Sequence, residues 1–289
     1  MKFGATFPQR EIGNDPAVIR RYAEVTSDAG LSYLLAYDHV LGADTTNRPG
    51  WSGSYQLEDA FHEIFVLFGY LAACAPGLEL VTGVVILPQR QAALVAKQAS
   101  AVDVLTGGKL RLGVGIGWNA VEYEALGESF TTRGRRLEEQ IALMRRLWTD
   151  EVVTFRGTEH TVTEAGLNPM PVQRPIPVWI GATADVAVAR AARIADGWFP
   201  QGRADALAEK IAGFHRQVEE AGRRPEDVGV DARMSLKSVP EAEWPAEIEA
   251  WRALGATHLA VESMGMDLTP AEHIGVVERF AEVVARYGV

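Results

Sequence analysis

Pro177-Val178-Trp179-Ile180 opens the stretch that decides the fold. This apolar run stops at Gly181-Ala182-Thr183, and a helical pattern then covers Ala184 to Ala195. Gly197-Trp198-Phe199 begins the same alternation again, followed by a second helical pattern over Ala204 to Ala221. Each apolar run has the length of a buried strand, and each following segment repeats its apolar residues at helical spacing. Strands that alternate in this way with helices build parallel sheets from strand–helix–strand units.

The alternation continues in both directions. Downstream, Val228 to Leu236 leads into a helix over Glu243–Leu254, and Thr257 to Val261 leads into a last helix carrying Ile274, Val277, Phe280 and Val284. Upstream, Lys2 to Phe7 reads as a strand. Asn14-Asp15-Pro16 then starts a helix, with a capping side chain before Pro at the first helical position, and Gly30 ends it. Ser32 to Tyr37 is a second strand, separated by the polar stretch Val40 to Asp59 from a helix around Ala60 to Ala75. Leu78 to Leu87 and Leu110 to Val114 are the third and fourth strands, with an Ala-rich helix over Gln89–Leu105 between them and a helical region from Ala120 to Trp148 after them. Val152 to Val162 alternates around Arg156-Gly157 as a small hairpin insertion, and Pro169 to Pro175 is an extended linker. About eight strand–helix units result. That is the count of a (β/α)8 TIM-type barrel spanning residues 1–289 as one domain; a doubly wound sheet is the competing arrangement.

Composition narrows the function. The chain has 289 residues and a formal charge of −10, against the basic face that a nucleic-acid partner requires. Its longest uncharged apolar stretch, Ile64 to Ala75, is too short for a membrane span. Met1-Lys2-Phe3-Gly4-Ala5-Thr6-Phe7 lacks the features of a signal peptide, so a cytoplasmic location is expected. The single cysteine, Cys74, excludes a disulfide framework and a CxxC pair, and its apolar helix-end setting predicts a buried, inert thiol. None of the six histidines pairs at i,i+4, and His62-Glu63 lacks the second His of HExxH, so no metal site is expected. His160, His215 and His273 fall in polar or helical-surface settings, and no GxSxG elbow is present.

In a barrel, chemistry belongs where strands end. Those positions include Asp38-His39, the Gly83 region, Gly115-Ile116-Gly117-Trp118 and Gly181-Ala182-Thr183. Glycines opening a helix suit a phosphorylated ligand, because free N–H groups and the helix dipole attract an anion; tight turning without a ligand explains them equally simply. Gly113-Val114-Gly115-Ile116-Gly117-Trp118 fails the GxGxxG fingerprint, since Trp118 stands where the last Gly is required. Asp38-His39 either places an imidazole over a reactant or caps the next segment.

Tyr37-Asp38-His39-Val40, Leu112 to Trp118, Glu122-Tyr123-Glu124-Ala125-Leu126-Gly127, Arg133 to Glu139, Pro177 to Thr183 and Ala195-Asp196-Gly197-Trp198-Phe199-Pro200 occur in the order found in the bacterial luciferase-like superfamily, which the chain resembles along essentially its whole length. The resemblance implies a TIM-type barrel, usually a homodimer, that binds the deazaflavin coenzyme F420 or FMN at its C-terminal mouth and acts on a small-molecule substrate. Asp38-His39 after the second strand is similar to the deazaflavin branch, which makes F420 the favoured cofactor and an FMN-dependent monooxygenase the alternative. A cofactor-free accessory subunit is a third possibility. The resemblance further implies that His39 is the general acid/base with Asp38 orienting it, and that Gly115 and Gly117 admit the cofactor. Gly181-Ala182-Thr183 would bind its phosphate. A non-prolyl cis peptide at Gly83-Val84 would back its ring. Trp118 replaces a carboxylate found in some sugar-phosphate dehydrogenases of that branch, and either stacks in the pocket or packs in the core. Glu122, Arg133, Arg135 and Arg136 match the motif and read as an ion-paired structural cluster. Trp51 and Tyr55 lie in a long loop suited to a substrate lid or a dimer contact.

Overall fold

The computed structural model describes residues 1–287. The elements in chain order are β1 (Lys2–Thr6), α1 (Pro16–Asp28), β2 (Tyr33–Ala36), α2 (Ile64–Cys74), β3 (Glu79–Thr82), β4 (Val85–Ile86), α3 (Ala92–Leu105), β5 (Leu110–Gly115), α4 (Ala120–Ala125), α5 (Arg133–Thr149), β6 (Val153–Arg156), β7 (Thr161–Ala165), β8 (Val178–Gly181), α6 (Asp185–Ile194), β9 (Gly197–Phe199), α7 (Ala204–Glu220), β10 (Gly229–Ser235), α8 (Trp244–Ala253), β11 (His258–Glu262) and α9 (Pro270–Val284). The start of α1 shows how local chemistry sets these limits. Pro16 occupies the first turn, and the Asp15 carboxylate accepts the Ala17 N–H at 2.8 Å. Such a cap contributes about 1 kcal/mol.

The sheet is parallel and closes on itself. β3, β2, β1, β11, β10, β9, β8, β5 and β4 neighbour one another in that order, and β3 also pairs with β5. β3 and β4 are two halves of one stave, interrupted at Gly83-Val84, so the ring has eight staves and is a (β/α)8 barrel. The peptide between Gly83 and Val84 is cis, as the resemblance implied. β6 and β7 form an antiparallel hairpin outside the ring, where the alternation around Arg156-Gly157 placed it.

Successive strand residues point to opposite faces, and the barrel sorts them into two cores. Phe3, Ala5, Leu34, Ala36 and Val230 point outward into the layer shared with the helices. Tyr33, Leu35, Tyr37, Val81, Trp179, Phe199, Ala260 and Met264 point inward and fill the barrel. At its lower end the interior is also charged: Arg111 donates from Nη1 to Asp231 at 2.7 Å, Tyr33 Oη donates to the same carboxylate at 2.7 Å, and the guanidinium lies 4.5 Å from the Trp179 ring centre. This charged layer fills the lower barrel, below the C-terminal ends of the strands.

Some sequence expectations need correction. Cys74 is half-buried, because the last turn of α2 leaves the helix layer beside Arg20 and Tyr70 of the α1–α2 seam. The region from Ala120 to Trp148 is two helices, since Gly127, with φ of +71°, turns the chain between α4 and α5. His273 is fully buried rather than on a helix surface; its Nδ1 lies 2.7 Å from Ser263 Oγ and its Nε2 3.0 Å from Glu11.

Candidate active site

A cavity of about 590 Å³ opens at the C-terminal ends of the staves. Asp38 and His39 enter it from the end of β2, Gly83 and Val84 from the broken stave, Gly115, Gly117 and Trp118 from the end of β5, and Gly181, Ala182 and Thr183 from the end of β8. Residues from these four parts of the sequence thus meet around one space of the size that small ligands occupy, roughly 300–1,000 Å³.

Val84 forms the central wall. A Cβ on Gly115 would lie 2.6 Å from Val84 Cγ2, and one on Gly181 would lie 2.9 Å from Val84 Cγ1, so only glycine lets both strand ends close around it. Gly117 combines φ of +61° with a Cβ position 2.7 Å from Ile86, which restricts that turn to glycine. With Leu35 and Phe199 also lining the cavity, the result is an apolar face flanked by bare backbone, which fits a flat heteroaromatic ring. Beyond it, α6 starts at Asp185 with no side chain capping its first N–H groups, and Thr183 and Ala184 line the cavity there. Uncapped donors at a helix start suit a phosphate.

His39 and Asp38, adjacent in sequence, are not hydrogen-bonded to each other. His39 Nδ1 lies 3.3 Å from Glu122 Oε1, and the same oxygen accepts the N–H of Val40 at 2.7 Å and of Leu41 at 3.2 Å. Gln89 donates to the other Glu122 oxygen at 3.3 Å. Among the described residues the imidazole Nε2 has no hydrogen-bond partner, and the His39 side chain is 10% exposed, on the cavity. Burial raises the Glu122 pKa, but the His39 hydrogen bond and charge and the two backbone N–H groups outweigh it and hold the carboxyl below its usual range. Asp38 turns instead to Arg90, which donates from Nη2 at 2.7 Å and from Nε at 3.3 Å, and to the Ile86 N–H at 3.2 Å. Burial dominates at Asp38 and leaves its pKa raised despite the Arg90 charge.

The cavity rim is aromatic. Trp118 is 41% exposed, not a core residue, and its ring centre lies 5.8 Å from those of both Trp51 and His39. Tyr55 stands closer to His39, at 4.5 Å, and Phe61 at 4.9 Å. The loop after β2 therefore brings Tyr55 onto the cavity, with Phe61 packed on Tyr55 and His39, and Trp51 on Trp118.

Sequence reasoning missed the partners. Glu122 reads with Arg133, Arg135 and Arg136 as one ion-paired cluster, but none of these pairs with it: Arg133 stacks on Phe130, Arg135 pairs with Glu159 at 2.6 Å, and Arg136 pairs with Glu128 at 2.5 Å and donates to the Pro88 carbonyl at 2.6 Å. Arg90 and Gln89 follow the broken stave, and no spacing marks them. Arg233 and Glu262 also line the cavity; their only sequence signal is strand alternation, which turns both inward. Among the described residues no three His, Cys, Asp or Glu side chains are grouped to hold a metal ion, and no helix is long and apolar enough to cross a membrane.

This architecture has known counterparts. The uncharacterized protein Rv0940c of Mycobacterium tuberculosis is 41% identical over 207 residues, which cover 70% of this chain and 71% of that one. An FMNH(2)-dependent dimethylsulfone monooxygenase of Pseudomonas fluorescens is 28% identical over 77% of this chain and 58% of its own. An F420-dependent secondary alcohol dehydrogenase, solved with an F420–acetone adduct, superposes with a TM-score of 0.77 at 17% identity over 98% of both chains, which is a likeness of fold. The family model described as luciferase-like monooxygenase matches residues 1–264, and the chain belongs to that family.

Proposed function

We propose that this protein is an oxidoreductase that binds coenzyme F420 in the cavity and uses His39 as the proton donor or acceptor for a small organic substrate. The observation that carries this reading is the state of His39: one ring nitrogen is held by Glu122, and the other is free on the cavity beside the Val84 wall. When bound, the deazaflavin supplies hydride transfer at its C5. The chain's own residues do the rest. Val84, with Gly115 and Gly181 drawn back around it, supports the ring, and Gly83 and Gly117 give the backbone its close approach. Gly181, Ala182, Thr183 and the start of α6 hold a phosphate through N–H groups.

Hydride transfer to or from a carbonyl or activated alkene leaves a charge on the substrate, which a positioned imidazole neutralises by giving or taking a proton. Glu122 fixes the ring orientation and balances an imidazolium. Asp38 is a positioning residue: by holding Arg90 and the Ile86 N–H it ties the end of β2 to β4. Trp118, with Trp51 and Tyr55, closes the mouth and limits water.

The second reading is an FMN-dependent monooxygenase, favoured by the sequence similarity to the dimethylsulfone enzyme. Titrating the protein with F420 and with FMN, followed by the fluorescence of Trp51 and Trp118, separates the two. Micromolar F420 binding is expected; FMN binding without F420 binding overturns the assignment. His39→Ala is expected to lower turnover by ~10²–10⁴-fold with cofactor affinity retained. Near-normal turnover in the folded variant would remove His39 from the chemistry.

A further inference from the structure

β10 turns Asp231, Arg233 and Ser235 to the barrel interior. Asp231 is fully satisfied by Arg111 and Tyr33 in the charged layer below. Arg233, one step higher, has no such closure. Among the described residues no carboxylate lies within 4.0 Å of it, and its one hydrogen bond runs from Nη1 to Tyr37 Oη at 2.6 Å. The Tyr37 hydroxyl is in turn directed to Glu262 Oε1. A guanidinium carries five N–H donors, so most of those on Arg233 have no protein acceptor, and the group borders the cavity. Other arginines of the interior and the cavity wall have carboxylate partners: Arg111 pairs with Asp231 and Glu79, Arg90 with Asp38 and Glu63, and Arg136 with Glu128. Charges withdrawn from bulk water are normally paired, so the missing acceptor belongs to a ligand.

We propose that Arg233 receives a carboxylate on the substrate, which makes the substrate class small monoanionic organic acids. The inference rests on the reading of this cavity as the active site and adds the substrate chemistry. Glu262 stands on the far side of Tyr37 and repels a second negative charge, which favours a monoanionic carboxylate over a phosphate dianion. The phosphate position at the start of α6 lies on β8, two staves away from β10. Two anions of one cavity are thereby kept apart. Tyr55 borders both ends of the substrate space: its ring packs on His39, and its hydroxyl feels the charges of Glu262 and Arg233. An acid anchored at Arg233 extends past Tyr55 toward His39.

The same anionic chemistry could come from the cofactor, so the test has two arms, both run on the full-length protein. In the first, thermal unfolding without cofactor is followed against acetate, butyrate and benzoate, with chloride and inorganic phosphate at equal ionic strength as controls. Monocarboxylates are expected to raise the Tm of the wild type above the chloride control, and not that of Arg233→Met. Arg233→Met loses the bond to Tyr37 and the counter-charge to Glu262, so the Tm shift with each anion is read against that variant's own chloride control. Arg233→Lys keeps the charge and loses the fork, so its carboxylate Kd is expected to rise about tenfold. In the second arm, F420 and FMN affinities of Arg233→Met are expected to stay within about threefold of wild type, less than half the free energy of a tenfold change. Carboxylates that fail to stabilise the wild type, or that stabilise both proteins equally, overturn the proposal, as does a loss of cofactor affinity in Arg233→Met. If carboxylates bind through Arg233 while neither cofactor binds, this inference stands and the cofactor reading falls.

Discussion

Replacing Glu122 tests the centre of the site, and the structure sets the size of the effect. One oxygen of this carboxylate, on a residue 1% exposed, receives the N–H groups of Val40 and Leu41 and contacts His39. Glu122→Ala leaves both backbone donors without their acceptor, each worth roughly 1–3 kcal/mol when water is excluded. Val40 and Leu41 lie at an edge that water reaches once the carboxylate is gone, so the total falls near the low end, about 1–3 kcal/mol. That corresponds to a Tm lower by roughly 2–5 °C. Glu122→Gln behaves differently. Its amide oxygen still accepts from Val40 and Leu41, and its NH2 group meets Gln89, whose Oε1 is buried without a partner. Rotation of the Gln89 amide turns that oxygen toward the new donor, so the variant loses little beyond the charge. Its Tm is expected to lie close to wild type while turnover falls roughly 10- to 100-fold, because the imidazole has lost its counter-charge. The pH dependence has a definite sign. Burial acts to raise the Glu122 pKa, but its hydrogen bonds and the His39 charge hold it below the usual glutamate range. The stability it adds over Glu122→Gln is therefore complete above about pH 4.5 and disappears as pH falls through its folded value. Calorimetry and steady-state turnover on both variants decide the matter. Equal destabilisation by Ala and Gln, or a wild-type Tm for Ala, refutes the reasoning.

Asp38→Ala breaks a buried ion pair and leaves Arg90 with Glu63 alone; a loss of about 3–5 kcal/mol is expected in denaturant unfolding, and an unchanged midpoint would mean that the pair holds nothing together. His258 is held neutral, first by burial and then by the Arg111 charge, with its pKa pushed down to about 2. The unfolded chain takes up a proton near pH 6.5 and the folded chain does not, so stability should decline relative to His258→Gln by up to about 1.4 kcal/mol per pH unit below that point. Parallel stability curves for the two proteins from pH 7 to 5 would contradict this.

The barrel was readable because it is written in local terms. Short apolar runs and helical spacings recur about eight times, and each unit's limits follow from nearby Gly, Pro and capping residues. Gly197–Phe199 coincides with β9, and the Arg156-Gly157 turn sits inside the β6–β7 hairpin. Misreadings arose where a tertiary relation overrides the local pattern. Leu78 to Leu87 looks like one strand, yet its two halves pair with β5 at different places and break at Gly83-Val84. Glu122 looks like a member of an arginine cluster because Arg133, Arg135 and Arg136 lie near it in sequence; α4 and α5 are separate helices, and the carboxylate faces the end of β2 instead.

The site divides along the same line. Asp38-His39, Gly83, Gly115 to Trp118 and Gly181 to Thr183 border the cavity, because a closed barrel gathers its strand ends whatever the side chains are. Pairing inside the cavity is another matter. Neighbours on extended chain project in opposite directions, so a dyad adjacent in sequence is a poor candidate for a dyad in space. Asp38 accordingly meets Arg90 beyond the broken third stave, and His39 meets Glu122 from beyond the fourth. Arg233 obeys the same rule from the opposite wall: Asp231, its neighbour at i−2, shares its face but is already closed by Arg111, so the residue that completes Arg233 is not on β10. With no carboxylate within 4.0 Å among the described residues and Glu262 reached only through Tyr37, the guanidinium keeps N–H donors for whatever enters the cavity.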